Sequence, residues 1–132
     1  MNTKILLSSS AIVVGVLGLI CSFAPQELLA SFGQQSVDLL PTMIQLLGAA
    51  YLSLAILNWM SKGIIIGGIY ARPLALANFL HFTVGGLALA KSLTYIRTDG
   101  YVIYILTALY CVYALWFARV LFTHPLKAES KT

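Results

Sequence analysis

Four uncharged apolar runs, at residues 5–24, 42–60, 73–90 and 101–118, leave this chain few ways to fold. Each is 18 to 20 residues long. At 1.5 Å of rise per residue, a helix of that length crosses the roughly 30 Å hydrocarbon core of a bilayer. The runs are continuous, whereas barrel strands would need polar residues at every second position. Composition agrees: of 132 residues, 60% are hydrophobic and 9% charged, with a mean hydropathy of +0.91. A soluble domain carries about 25% charged residues, so here the bilayer must take over as solvent.

The expected fold is an all-α integral membrane protein, a single membrane domain over residues 1–132. Its helices are expected at about 5–24, 42–60, 73–90 and 101–122, followed by a short cytoplasmic C-terminal tail. The first run is read as a helix rather than a cleaved leader. It exceeds the usual leader core of about 7–15 residues, Pro25 would sit just beyond the best cut, and Ile20 before Cys21 does not suit a lipoprotein site.

Basic residues set the orientation. With the N-terminus cytoplasmic, Lys4, Lys62, Arg72, Arg119, Lys127 and Lys131 fall inside, and Lys91 and Arg97 outside. Both termini are therefore expected in the cytoplasm. Glu27, Asp38 and Asp99 fall on the outer side. The net charge of +4 then reads as topology and attraction to anionic headgroups, with no nucleic-acid partner implied.

Small residues at three- and four-residue spacing mark the packing faces. The first helix carries Ser8, Ala11, Gly15, Gly18 and Ser22, the second Gly48, Tyr51, Ala55 and Asn58, the third Asn78, His81, Gly85, Ala88 and Ser92, and the fourth Tyr104, Ala108, Cys111 and Leu115. Such stripes let helices approach closely where lipid removes the hydrophobic drive, and their seven-residue period predicts a left-handed four-helix bundle. After the first helix, Pro25, Glu27 and Gly33 predict a short helix with Leu28, Leu29 and Phe32 on one side, lying in the outer interface. Ser61 to Arg72, SKGIIIGGIYAR, is too glycine-rich for a good helix and too apolar for a free loop. It is expected to lie along the inner interface, with Lys62 and Arg72 at headgroup level and Pro73 opening the third helix.

Polar groups at membrane depth are the candidates for function. Asn58, Asn78 and His81, with Tyr51 and Cys111 beside them, fall in the inner half of the expected spans, and Arg72 marks the inner edge. One reading makes them the lining of a cytoplasm-facing cavity for a small hydrophobic ligand. The other makes Asn58, Asn78 and His81 interhelical bonds that specify packing, with Arg72 a snorkelling anchor. No catalytic residue is assigned. The buried carboxylate typical of proton-coupled pumps is missing, as is any carboxylate pair. Two cysteines and two histidines without CxxC or HxxxH spacing offer neither a metal site nor disulfide exchange. Gly67-Gly68 and Gly85-Gly86 lack the context of phosphate loops. No cofactor is expected.

Length, helix count, the Pro25-containing outer loop, the run Gly48-Ala49-Ala50-Tyr51 and the small basic inner turn together resemble the short four-span bacterial membrane proteins grouped around DoxX. Asn58-Trp59, then Gly67-Gly68-Ile69-Tyr70-Ala71-Arg72-Pro73, then Asn78 and His81-Phe82, resemble uncharacterised members of that kind, which bring no activity with them. Some structurally related four- or five-helix families are sterol isomerases or ligand-binding proteins. The resemblance to isomerases implies intramembrane carboxylates, which this chain lacks. The leading expectation is a non-enzymatic multi-pass membrane protein that binds a small amphipathic or lipid-like ligand in an inner-half cavity. The alternatives are an accessory subunit of a larger membrane complex, with no ligand of its own, and a small membrane enzyme using His81; the partners expected are the lipid bilayer, a hydrophobic ligand, and a membrane protein partner or a homo-oligomer of this chain.

Overall fold

Long apolar runs with proline near their starts fold as helices, because only intrahelical bonding satisfies every backbone amide in lipid and a first-turn proline removes no such bond. The structure, a computed structural model, describes residues 3–34, 38–63, 71–94 and 101–123. Among these the elements are α1 (Thr3–Phe23), α2 (Pro25–Ser31), α3 (Leu40–Met60), α4 (Arg72–Ser92) and α5 (Tyr101–Thr123), with a 3-10 turn at Ser61–Gly63 and no strand. Four of the helices, α1, α3 with its 3-10 turn, α4 and α5, are long and apolar enough to cross a membrane. Residues 64–70 of the segment expected along the inner interface, the expected outer loop with Arg97 and Asp99, and the C-terminal tail lie outside the described residues.

The chain divides into two compact units, Met1–Gly63 and Ile64–Thr132. In the first, α1 packs along α3, and α2 packs on both. The expected small-residue stripes meet here. A Cβ on Gly18 would lie 2.9 Å from the Leu52 backbone nitrogen, and one on Gly48 would lie 2.7 Å from the Ser22 nitrogen and 2.9 Å from the Gly18 carbonyl oxygen. Main chain thus approaches main chain, which only glycine allows. Near the C-terminal end of α1 Gln45 Nε2 donates to the Ser22 carbonyl at 3.4 Å. The short helix α2 buries Pro25 and Leu29. It stops at Gly33, where φ is +66° and the amides of Gly33 and Gln34 donate to the carbonyls of Ala30 and Leu29. That double bond across a left-handed glycine is the usual way of satisfying the last carbonyls of a helix.

In the second unit α4 packs on α5 through aromatic rings. Phe82, fully buried, lies against Tyr110 edge-on with centroids 5.2 Å apart. It stacks on Tyr113 at 4.8 Å and on Phe117 at 5.7 Å. A Cβ on Gly85 would lie 2.6 Å from Tyr110 Cε1, so Gly85 makes room for that ring. Two packing faces differ from expectation. On α5 the expected stripe of Tyr104, Ala108, Cys111 and Leu115 is exposed, and the buried line is Ile103, Tyr110, Tyr113, Phe117 and Val120, nearly opposite it on the helix. On α4 the buried line runs through Ala75, Asn78, Phe82 and Gly86, while Ala88 is exposed. The physical reason is the same for both. Interdigitated rings gain more dispersion contact than a ribbon of small side chains, so Phe82 decides which faces meet.

Candidate functional site

Each helix pair carries polar contacts inside its apolar packing. In the first unit Asn58 is on the last turn of α3, seven residues after Tyr51, hence on the same side two turns on. Its exposure is 0%. Asn58 Nδ2 donates to Ser10 Oγ of α1 at 3.2 Å, and Ser10 Oγ donates in turn to the Leu7 carbonyl at 3.0 Å. The amide is therefore tied across the helix pair through a relay that ends on α1's own backbone. Tyr51 is half-buried above it.

In the second unit Asn78, also 0% exposed, turns its Nδ2 back to the Leu74 carbonyl of its own helix at 3.0 Å. One turn on, His81 Nε2 lies 3.4 Å from the Tyr110 hydroxyl of α5. The imidazole also meets the edge of Phe82, with centroids 5.1 Å apart. Arg72, the first residue of α4, is exposed, and so is Cys111. Asn58 and Tyr51 thus belong to the first unit, and Arg72, Asn78, His81 and Cys111 to the second.

Two partners were not singled out from the sequence. Ser10 is one of three consecutive serines, and only helix phase selects it. Tyr110 belongs to the ring-bearing line Tyr110, Tyr113 and Phe117, whose three- and four-residue spacing was the available signal. A third feature had no polar signal at all. Ala11, Ile12, Ala55, Ile56 and Trp59 line an almost wholly apolar surface groove of about 230 Å³ between α1 and α3. Lys62, in the 3-10 turn, places its Nζ 3.3 Å from the centroid of the Trp59 ring at one end of that groove.

The two buried amides each have a partner, and the four acids of the chain, Glu27, Asp38, Asp99 and Glu129, fall outside the four apolar runs. Asn58→Leu is expected to cost about 1 kcal/mol or less, the range for hydrogen bonds between membrane helices, because Ser10 keeps its own bond to Leu7. A double-mutant cycle with Ser10→Ala in a detergent unfolding assay checks this. A coupling several times larger would make the pair a keystone of the fold. The chain matches no family model, and comparison with curated proteins and with solved structures likewise finds no match.

Proposed function

We propose that this chain is a non-enzymatic multi-pass protein of a bacterial inner membrane, both termini cytoplasmic, that holds a small amphipathic or lipid-like ligand at its inner half. The excess of basic residues at the inner ends supports the orientation. The seven-residue spacing of small residues supports left-handed crossing of the helix pairs. Leu29 buried beneath an exposed Glu27 supports α2 as an interfacial helix.

The observation that carries ligand binding is the groove between α1 and α3. Its walls are side chains on two helices held in register by the Asn58–Ser10 bond. Its roughly 230 Å³ is below the about 300–1,000 Å³ of pockets that enclose a drug-sized molecule. A single apolar chain lying lengthwise, with its polar end outside, is the shape that fits. Ile12 and Ile56 are exposed on the two walls, so a bulkier side chain there narrows the groove without disturbing the core.

Protein purified in mild detergent should carry an extractable amphiphile in fixed ratio to the polypeptide, measured by mass spectrometry after solvent extraction. Ile56→Phe should lower that ratio several-fold with helicity by circular dichroism unchanged. A fully helical wild type carrying no amphiphile, or an Ile56→Phe protein carrying as much, would overturn the proposal.

A further inference from the structure

We infer that the occupant of the α1–α3 groove is a phospholipid with a net negative headgroup, its acyl chain along Ile12, Ile56 and Trp59 and its phosphate at Lys62. This rests on the groove being a ligand site, and adds the chemical class of the ligand.

The cation is placed where such a headgroup would lie. Trp59 is a groove wall, and the Lys62 ammonium sits over its ring, 3.3 Å from the centroid. An ammonium has three N–H donors, and the ring face takes up one side of it. The other side can donate to an acceptor coming from the membrane. The aromatic ring also limits how far the flexible lysine stem wanders, so the charge is held at the groove end.

A second cation is at the same level. The Asn58–Ser10 bond fixes equal depth on the two helices. From there Lys4 lies six residues down α1, about 9 Å, and Lys62 four residues on from Asn58, about 6 Å, at 1.5 Å per residue. Lys4 is exposed, and α1 packs against the turn that carries Lys62.

No carboxylate offsets this charge within the unit. The acids of residues 1–63 are Glu27 and Asp38, in α2 and just before α3, at the opposite end. An apolar groove with Lys62 at its end, Lys4 at the same level and no carboxylate of its own unit there complements a lipid with an apolar chain and a phosphate. A zwitterionic headgroup would bring its own ammonium to the same place.

The two tryptophans make the test direct. Trp116→Phe keeps a ring against Tyr113, which Trp116 stacks on at 6.5 Å, and leaves Trp59 as the sole tryptophan, excited selectively at the red edge where tyrosine does not absorb. The full-length Trp116→Phe protein in detergent is titrated with phosphatidylglycerol or phosphatidylcholine carrying the same brominated chains, and quenching of Trp59 is followed. Phosphatidylglycerol should half-saturate at a concentration lower by about fivefold or more, fivefold being the preference that one lysine near anionic lipid supplies. Lys62→Gln should cut that preference about fivefold, leaving only what Lys4 supplies, with maximal quenching intact; Lys62→Arg should keep the preference, and inorganic phosphate should not compete. Equal affinities in the parent protein, a preference undiminished by Lys62→Gln, or displacement by inorganic phosphate would overturn the inference while the groove stands. Quenching by neither lipid would overturn the groove and the inference together.

Discussion

Gly48→Leu should part α1 from α3 and give the largest loss of stability of any single substitution in the first unit. The new Cβ would meet Ser22 Oγ, the Ser22 nitrogen at 2.7 Å and the Gly18 carbonyl oxygen at 2.9 Å. A side chain could swing away, but the last two atoms are main chain of a helix and cannot. A Cβ on Gly18 would face the same contact from the other side, 3.1 Å from the Gly48 carbonyl oxygen, so no sliding of one helix relieves both. Overpacking a core with flexible neighbours costs about 1–3 kcal/mol, and the rigid neighbours here put Gly48→Leu at or above the top of that range. The Asn58–Ser10 bond and the groove depend on the same spacing and should go with it. Melting temperature in detergent across Gly48→Ala, Val and Leu should fall stepwise. Gly63→Ala, whose Cβ would find nothing within 4 Å, should be neutral. A Leu variant as stable as wild type would overturn the close approach of the two helices.

Phe82→Ala should be the corresponding lesion in the second unit. In water, Phe→Ala in a core costs about 3–5 kcal/mol, part transfer and part cavity. In a bilayer the transfer share falls away, since acyl chains are as apolar as the packed interior, and the cavity share remains. About 2 kcal/mol is therefore expected, with Phe82→Leu costing about half. The near-ultraviolet signal of Tyr110 and Tyr113 should collapse with it, because both rings lie against Phe82. Retention of that signal in a folded Phe82→Ala protein would show that the rings are held by something else.

What the sequence made legible follows from which physical terms a bilayer leaves intact. Helix number and extent depend on run length and on the need to satisfy every backbone amide, so four spans can be read directly. The α1–α3 contact was legible as well, because Gly18, Ser22 and Gly48 are where two backbones can touch. Burial of Asn58 and Asn78 follows from the cost of leaving an amide in hydrocarbon. The packed face of α5 was not legible. In water an apolar stripe marks the inside of a helix, but Tyr104 and Leu115 are as comfortable against lipid as Phe117 is against protein. Choosing between them requires shape, and shape is settled by Phe82 on another helix. The groove escaped notice for the same reason: Ile12, Ile56 and Trp59 look like any lipid-facing residues until the small side chains of Ala11 and Ala55 are seen between them.

The pairing of α1 with α3 has a bearing on biogenesis. Every contact that closes the first unit lies within Met1–Gly63, so its sequence is complete while the second pair of helices is still being translated. Compact units fold in the order of synthesis when their contacts are internal. The glycine crossing and the Asn58–Ser10 bond can therefore form as soon as α3 enters the membrane, so that Asn58 is already paired when the next segment emerges. A nascent chain arrested far enough beyond Gly63 for α3 to have left the ribosome and entered the membrane, but before α5 has done so, should already protect Cys21 from a membrane-permeant thiol reagent, since that thiol is buried.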